Sequence, residues 1–144
     1  MGRAPLPRQL EYWKVYLIDS NVILRYLLND HNRFSPIAKA FMQDVAKGLK
    51  KAELQSVVIV ECVYVMEKFY EIPKDEIVDK LSRILNIKGI VNPDKSEILA
   101  ALVKYENSSA DIVDCMLAAK SSPQRVIVSF DKDFKRLKAH CEKL

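Results

Sequence analysis

Four acids stand where the chain is otherwise apolar. Asp19 is the single charge between Val15 and Leu24, and Glu61 is the single charge between Ser56 and Met66. Val126 to Phe130 carries no charge, and Asp131 follows directly after it. Asp114 is flanked by Ile112, Val113, Met116, Leu117 and the small pair Ala118-Ala119. A carboxylate in such surroundings faces a large desolvation cost unless it is paired or binds a metal. Asp19 has a plainer alternative, because Asp19, Ser20 and Asn21 are all good helix caps. For Glu61 the alternative is a buried ion pair with a lysine or arginine.

Brought together without matching cations, four carboxylates are unstable unless hard metal ions neutralise them. Mg²⁺ or Mn²⁺ on oxygen ligands meets that need. A metal pair among carboxylates suits attack of water on a phosphodiester. Asp111 lies three residues before Asp114, in the first helical turn, where a role favouring the helix dipole suits it. Cys62 and Cys115 follow Glu61 and Asp114 directly, but one residue turns a helix by about 100°, so they are expected in the core. His31 and His140 are isolated, which leaves no histidine base or nucleophilic triad. Gly2, Gly48 and Gly89 are the only glycines, too few and too scattered for a phosphate-cradling loop.

The remaining totals set limits. At 144 residues, 49% hydrophobic and 29% charged, the chain has the composition of one ordinary soluble domain. No apolar run reaches the roughly 20 residues that span a bilayer. Its first fourteen residues lack the apolar centre of a secretory signal. Three cysteines without CxxC spacing point to reduced thiols in the cytoplasm and not to zinc. A net charge of +4 permits a nucleic-acid partner without requiring one.

The positioning elements follow from periodicity. Residues 1–14, with Pro5, Pro7, Leu10, Tyr12 and Trp13, form an irregular extension, and 15–144 form a single domain. Val15 to Ile18 reads as a strand buried on both sides, and Val22, Ile23, Tyr26 and Leu27 as a helix face. Asp19 therefore falls at a strand's carboxyl end, where ligands bind in open α/β sheets. Ser35-Pro36 caps a helix that buries Ile37, Ala40, Phe41 and Val45 and leaves at Gly48. A short strand ends near Ser56 and a buried helix follows it. Pro73 opens a helix that buries Ile77, Leu81, Ile84 and Leu85, and Gly89-Ile90-Val91 forms an edge. Asp94 and Glu97 have capping-box spacing ahead of Ile98, Leu99, Leu102 and Val103. Ser108-Ser109 caps a helix over Ala110 to Lys120, and Arg125 to Ser129 is a second buried strand, with a last helix through Phe134 and Leu137. Strands alternating with helices predict an α/β fold with a central parallel sheet covered on both faces.

These residues resemble the PIN domain ribonucleases over about Val15 to Leu137, most closely the toxin branch of the VapBC toxin–antitoxin systems. Asp19-Ser20-Asn21 is similar to the opening motif, and Glu61 matches the helix-borne glutamate. The run from Ala110 to Ala119 is similar to the third motif, with Asp114 as its central acid, and Ser129 to Phe134 to the fourth, with Asp131. The resemblance implies a three-layer α/β/α sandwich and Mg²⁺- or Mn²⁺-dependent endonuclease activity on RNA. It implies Asp19, Glu61, Asp114 and Asp131 as catalytic metal ligands, with Asn21, Ser129, Asp111 and Asp133 in support. A homodimer and an antitoxin protein are further implied partners. Arg25, Lys120, Lys132, Lys135 and Arg136 are candidate phosphate contacts, with a solvated surface as their alternative. The extension before Lys14 and Cys115, where a small residue is usual, depart from the pattern. Haloacid-dehalogenase-like phosphatases need a second aspartate where Asn21 stands, and a receiver domain orders its acids differently. An RNA-processing nuclease outside any toxin pair, or a module that binds without cleaving, remains the alternative.

Overall fold

A computed structural model describes residues 14–144 of the chain. The expected N-terminal extension, with Leu10, Tyr12 and Trp13, lies outside the described residues except for Lys14. The chain forms two compact units: the first takes in the described residues up to Cys62 with Arg83–Pro93, the second Val63–Ser82 with Asp94–Leu144. Among the described residues no helix is long and apolar enough to cross a membrane.

In the first unit, β1 (Val15–Leu17) runs through Ile18 and Asp19 into α1 (Ser20–Leu28). The strand, acid and helix expected from sequence are all present. Next come α2 (Phe34–Ala46), β2 (Lys51–Glu53) and the start of α3 (Ser56–Tyr64). Strands β1 and β2 pair in parallel with Tyr16 opposite Ala52, and Ile90 adds a parallel bridge to Ala52. Only glycine lets the chain pass there. A Cβ on Gly89 would meet the Val45 carbonyl oxygen at 2.3 Å and that of Lys50 at 2.5 Å. Just beyond, the buried Asn92 amide accepts from the Leu54 N–H at 2.8 Å and donates to the Leu54 carbonyl at 2.7 Å. Its side chain thereby satisfies a backbone segment that has left the β ladder.

Two expectations for this unit are corrected. β1 is not buried on both sides: Val15 and Leu17, which share one face of the strand, are exposed. The buried stripe of α2 is Ser35, Ala38, Met42 and Val45, with Ile37 and Ala40 exposed and Phe41 half-buried. The helix is thus rotated by about one residue from the expected face. Ser35 is the cause. It lies inside the helix instead of capping it, donates to the Arg25 carbonyl at 2.8 Å and accepts from the His31 N–H at 3.1 Å. Tying the first turn to the end of α1 fixes which side faces the core.

The second unit contains the end of α3, a π-helical turn (Val65–Phe69), and α4 (Lys74–Leu85) as far as Ser82. It continues with α5 (Lys95–Glu106), α6 (Ile112–Lys120), β3 (Ile127–Ser129), a 3₁₀ turn (Asp133–Leu137) and β4 (Cys141–Lys143). β3 and β4 pair in parallel, with Ser129 opposite Lys143. All four residues expected on the buried face of α4 are buried, as are Ile98 and Leu102 of α5. Val103 is exposed, and Val126 and Val128 show that β3 is not a buried strand. The Asp94–Glu97 box does not form: Asp94 caps nothing with its side chain and instead pairs with Lys120 at 2.9 Å. α6 begins at Ile112, and its cap is Asp111, not Ser108 or Ser109. The expected α/β class with parallel strand pairing is present.

Candidate active site

In the first unit the site residues gather where β1 ends. Asp19 is the N-cap of α1, and its Oδ2 accepts from the Asn21 N–H at 3.4 Å. Being a cap does not consume the carboxylate, since its side chain is exposed and this contact is long. Glu61 lies on α3. Cys62 turns inward beside it and its Sγ donates to the Ser20 carbonyl at 4.0 Å, which seats α3 against the start of α1. Burial first, then the fields of Glu61 and Asp19, push the Cys62 thiol up to about 12. The thiol therefore stays protonated and packs as a core group. Both acids act on this one sulfur, so the chain brings Asp19 and Glu61 to the same corner of the unit. Glu61 is exposed and makes no ion pair among the described residues, which removes the buried-pair alternative. Beside Asp19 lies an apolar groove of about 460 Å³, bounded by Leu17, Val22, Phe34 and Ile37.

The expectation of buried acids needs correcting. Asp19, Glu61 and Asp131 are exposed and Asp114 is partly buried. Apolar neighbours in sequence point the opposite way on a helix or turn, so an acid in an apolar run can still face solvent.

In the second unit, Asp114 projects from the first turn of α6. Its carboxyl is held above the ordinary aspartate value by burial first, then by the carboxylates of Asp111, Asp131 and Asp133. Asp111, Asp114 and Asp133 line a polar pocket of about 170 Å³ with Ser108, Ser109 and Arg136. Asp111 Oδ1 accepts from the Val113 N–H at 2.8 Å, fixing the helix start from which Asp114 projects. Ser129 Oγ accepts from the Asp131 N–H at 2.9 Å, and Asp131 Oδ1 from the Asp133 N–H at 2.9 Å. Ser129, which the resemblance implies as a polar supporter, bonds the backbone of Asp131.

Sequence reasoning missed Tyr64 and Lys74. The Tyr64 hydroxyl donates to both Asp111 oxygens, at 2.8 and 3.0 Å, and this bond leads the causes that raise the phenol above its usual value. Tyr64 was a lone polar tip in an apolar run, three residues after Glu61, and that spacing was the available signal. Lys74 Nζ donates to the Ser108 carbonyl at 2.9 Å and to that of Tyr105 at 3.4 Å, closing the exit of α5. Tyr105 in turn donates to Glu67 at 2.6 Å. No pattern on one helix reveals such long-range bonds.

The candidate cations divide. Arg25 is taken up by Asp30 at 2.9 Å and Lys120 by Asp94 at 2.9 Å. Lys132, Lys135 and Arg136 are exposed and make no ion pair among the described residues. Among those residues no group of three or more His, Cys, Asp or Glu side chains is close enough to hold a metal ion. The donor chemistry nevertheless fits a hard cation. The charges that raise Asp114 are carboxylates, Arg136 is the one cation lining their pocket, and oxygen donors in excess of cations are what Mg²⁺ and Mn²⁺ take.

The chain belongs to the PIN domain family, whose model matches residues 16–139. PIN domains are α/β sandwiches, the fold class anticipated from the sequence. The chain is also similar to a VapC ribonuclease of Aquifex aeolicus (strain VF5), with 28% identity over 123 residues, covering 84% of this chain and 90% of the relative. No solved structure matches.

Proposed function

We propose that the protein is a toxin-type ribonuclease that hydrolyses RNA phosphodiester bonds, with Asp19, Glu61, Asp114 and Asp131 holding Mg²⁺ or Mn²⁺. One observation carries this reading: Asp111, Asp114 and Asp133 line one polar pocket with a single cation, Arg136, so carboxylates outnumber cations there. Like charges gathered in one pocket repel one another, and an ion that binds them relieves that repulsion. Similarity to a protein named as a ribonuclease supports RNA as the substrate. When bound, the metal activates water and stabilises the leaving oxygen.

The chain's own groups do the positioning. Asp111 caps α6 and so sets where Asp114 stands, Tyr64 holds Asp111, and Ser129 holds the backbone of Asp131. The Asn21 backbone N–H makes a long bond to the Asp19 carboxylate at the start of α1, and Asp133 lines the pocket beside Asp114. The same reading implies an antitoxin protein as partner, a homodimer and a cytoplasmic site of action, all supported by family resemblance alone.

The reaction type is tested by its products. Attack by water leaves a phosphate monoester on one fragment and a hydroxyl on the other, so mass spectrometry of cleaved oligoribonucleotides should find no 2′,3′-cyclic phosphate. Cyclic phosphate ends would mean attack by the ribose 2′-hydroxyl, which the proposed chemistry does not use.

A further inference from the structure

Phe130 stands between the two residues that the fourth acidic motif uses, and its side chain is 79% exposed. Hydrogen bonds tie the residues on either side of it. Asp131 N–H donates to Ser129 Oγ at 2.9 Å, and Leu144 N–H donates to the Ser129 carbonyl at 2.9 Å. Four residues later, Phe134 is only 6% exposed and anchors the 3₁₀ turn. The local fold thus takes its aromatic anchor from Phe134 and presents Phe130 to solvent. Among the described residues Phe130 belongs to no ring pair. Lys132, Lys135 and Arg136, from the same short segment, are exposed with no ion pair among those residues. An exposed aromatic between hydrogen-bonded residues, with exposed cations close in the chain, has the form of a contact for single-stranded nucleic acid: the ring takes a base and the cations take phosphates.

We propose that Phe130 is a stacking platform for a nucleobase of single-stranded RNA next to the bond to be cleaved, an inference that rests on the ribonuclease reading. The ring adds affinity for an unpaired base and little discrimination between bases, because every base has a π face. It also favours unpaired RNA over duplex, whose bases are already stacked on one another.

Affinity measured without cleavage tests this. Binding of a mixed-sequence, single-stranded oligoribonucleotide is measured in an Asp114→Asn background, with Phe130 retained or changed to Ala, Leu, Tyr or Trp. Replacement by Ala or Leu should weaken binding by about 5- to 150-fold, the equivalent of ~1–3 kcal/mol, while Tyr and Trp should stay close to the parent. With Trp13→Phe added, the Phe130→Trp protein has one tryptophan, and its fluorescence should be quenched by the single strand and much less by a duplex. Equal affinities for Phe and Ala would overturn the proposal, as would Leu matching Phe. A large drop in melting temperature for both Ala and Leu would assign the ring to packing and overturn it too. Failure here leaves hydrolysis untouched, whereas an unmodified protein that binds RNA through Phe130 and does not cleave it in Mn²⁺ refutes only the ribonuclease reading. A parent that binds no RNA refutes both.

Discussion

Asp114→Asn and Asp19→Asn should each lower hydrolysis of single-stranded RNA in Mn²⁺ by more than about 100-fold. Even partners one shell out from a metal cost 10–100-fold when changed, so losing a ligand should cost more. Both replacements spare the fold. Asn caps a helix as well as Asp does, so α1 keeps its N-cap in Asp19→Asn. At Asp114 the folded protein holds the proton more tightly than the unfolded chain, whose aspartate titrates near 3.8. Its ionisation therefore subtracts from stability as pH rises through and above that value. Metal-free Asp114→Asn at neutral pH should accordingly melt no lower than the parent, which separates lost chemistry from unfolding. Full activity in either purified variant would contradict the assignment.

Glu61→Gln should separate metal binding from structure. Stranding the partner of a buried ion pair costs ~3–5 kcal/mol whether or not metal is present. Glu61 is exposed and unpaired among the described residues, so the metal-free variant should stay within about 0.5 kcal/mol of the parent. Removing its charge also relieves whatever repulsion Asp19 exerts across Cys62. An ion that binds only the folded protein adds about 2.7 kcal/mol at a hundred times its dissociation constant. At roughly 2–4 °C per kcal/mol for a chain of this size, the parent should gain ~5–10 °C in Tm from saturating Mn²⁺. Glu61→Gln should gain far less. Paired thermal melts check this, and a large loss without metal would make Glu61 structural.

Where one element's own periodicity sufficed, the sequence was readable. The β1–Asp19–α1 join, the face of α4 after Pro73 and the bridge at Ile90 all follow from local apolar spacing. Cap choice was not readable, because Ser108, Ser109 and Asp111 cap almost equally well alone. The Tyr64 bond to Asp111 holds the capping carboxylate from another helix. The face of α2 depended on Ser35 reaching the end of α1, and the end of β2 on Asn92 reaching Leu54. Those bonds join residues distant in the chain. The apolar settings of the acids were legible, but the exposure of the acids was not, since a run of apolar letters hides which way each residue points.

Hydrolysis of single-stranded RNA by the unmodified protein, freed of metal with EDTA and then given Mn²⁺, tests the central claim most directly. No cleavage should occur in EDTA, and cleavage should return on addition of Mn²⁺ over the concentrations at which Tm begins to rise. Undiminished hydrolysis in EDTA would show that the carboxylates do not work through a metal.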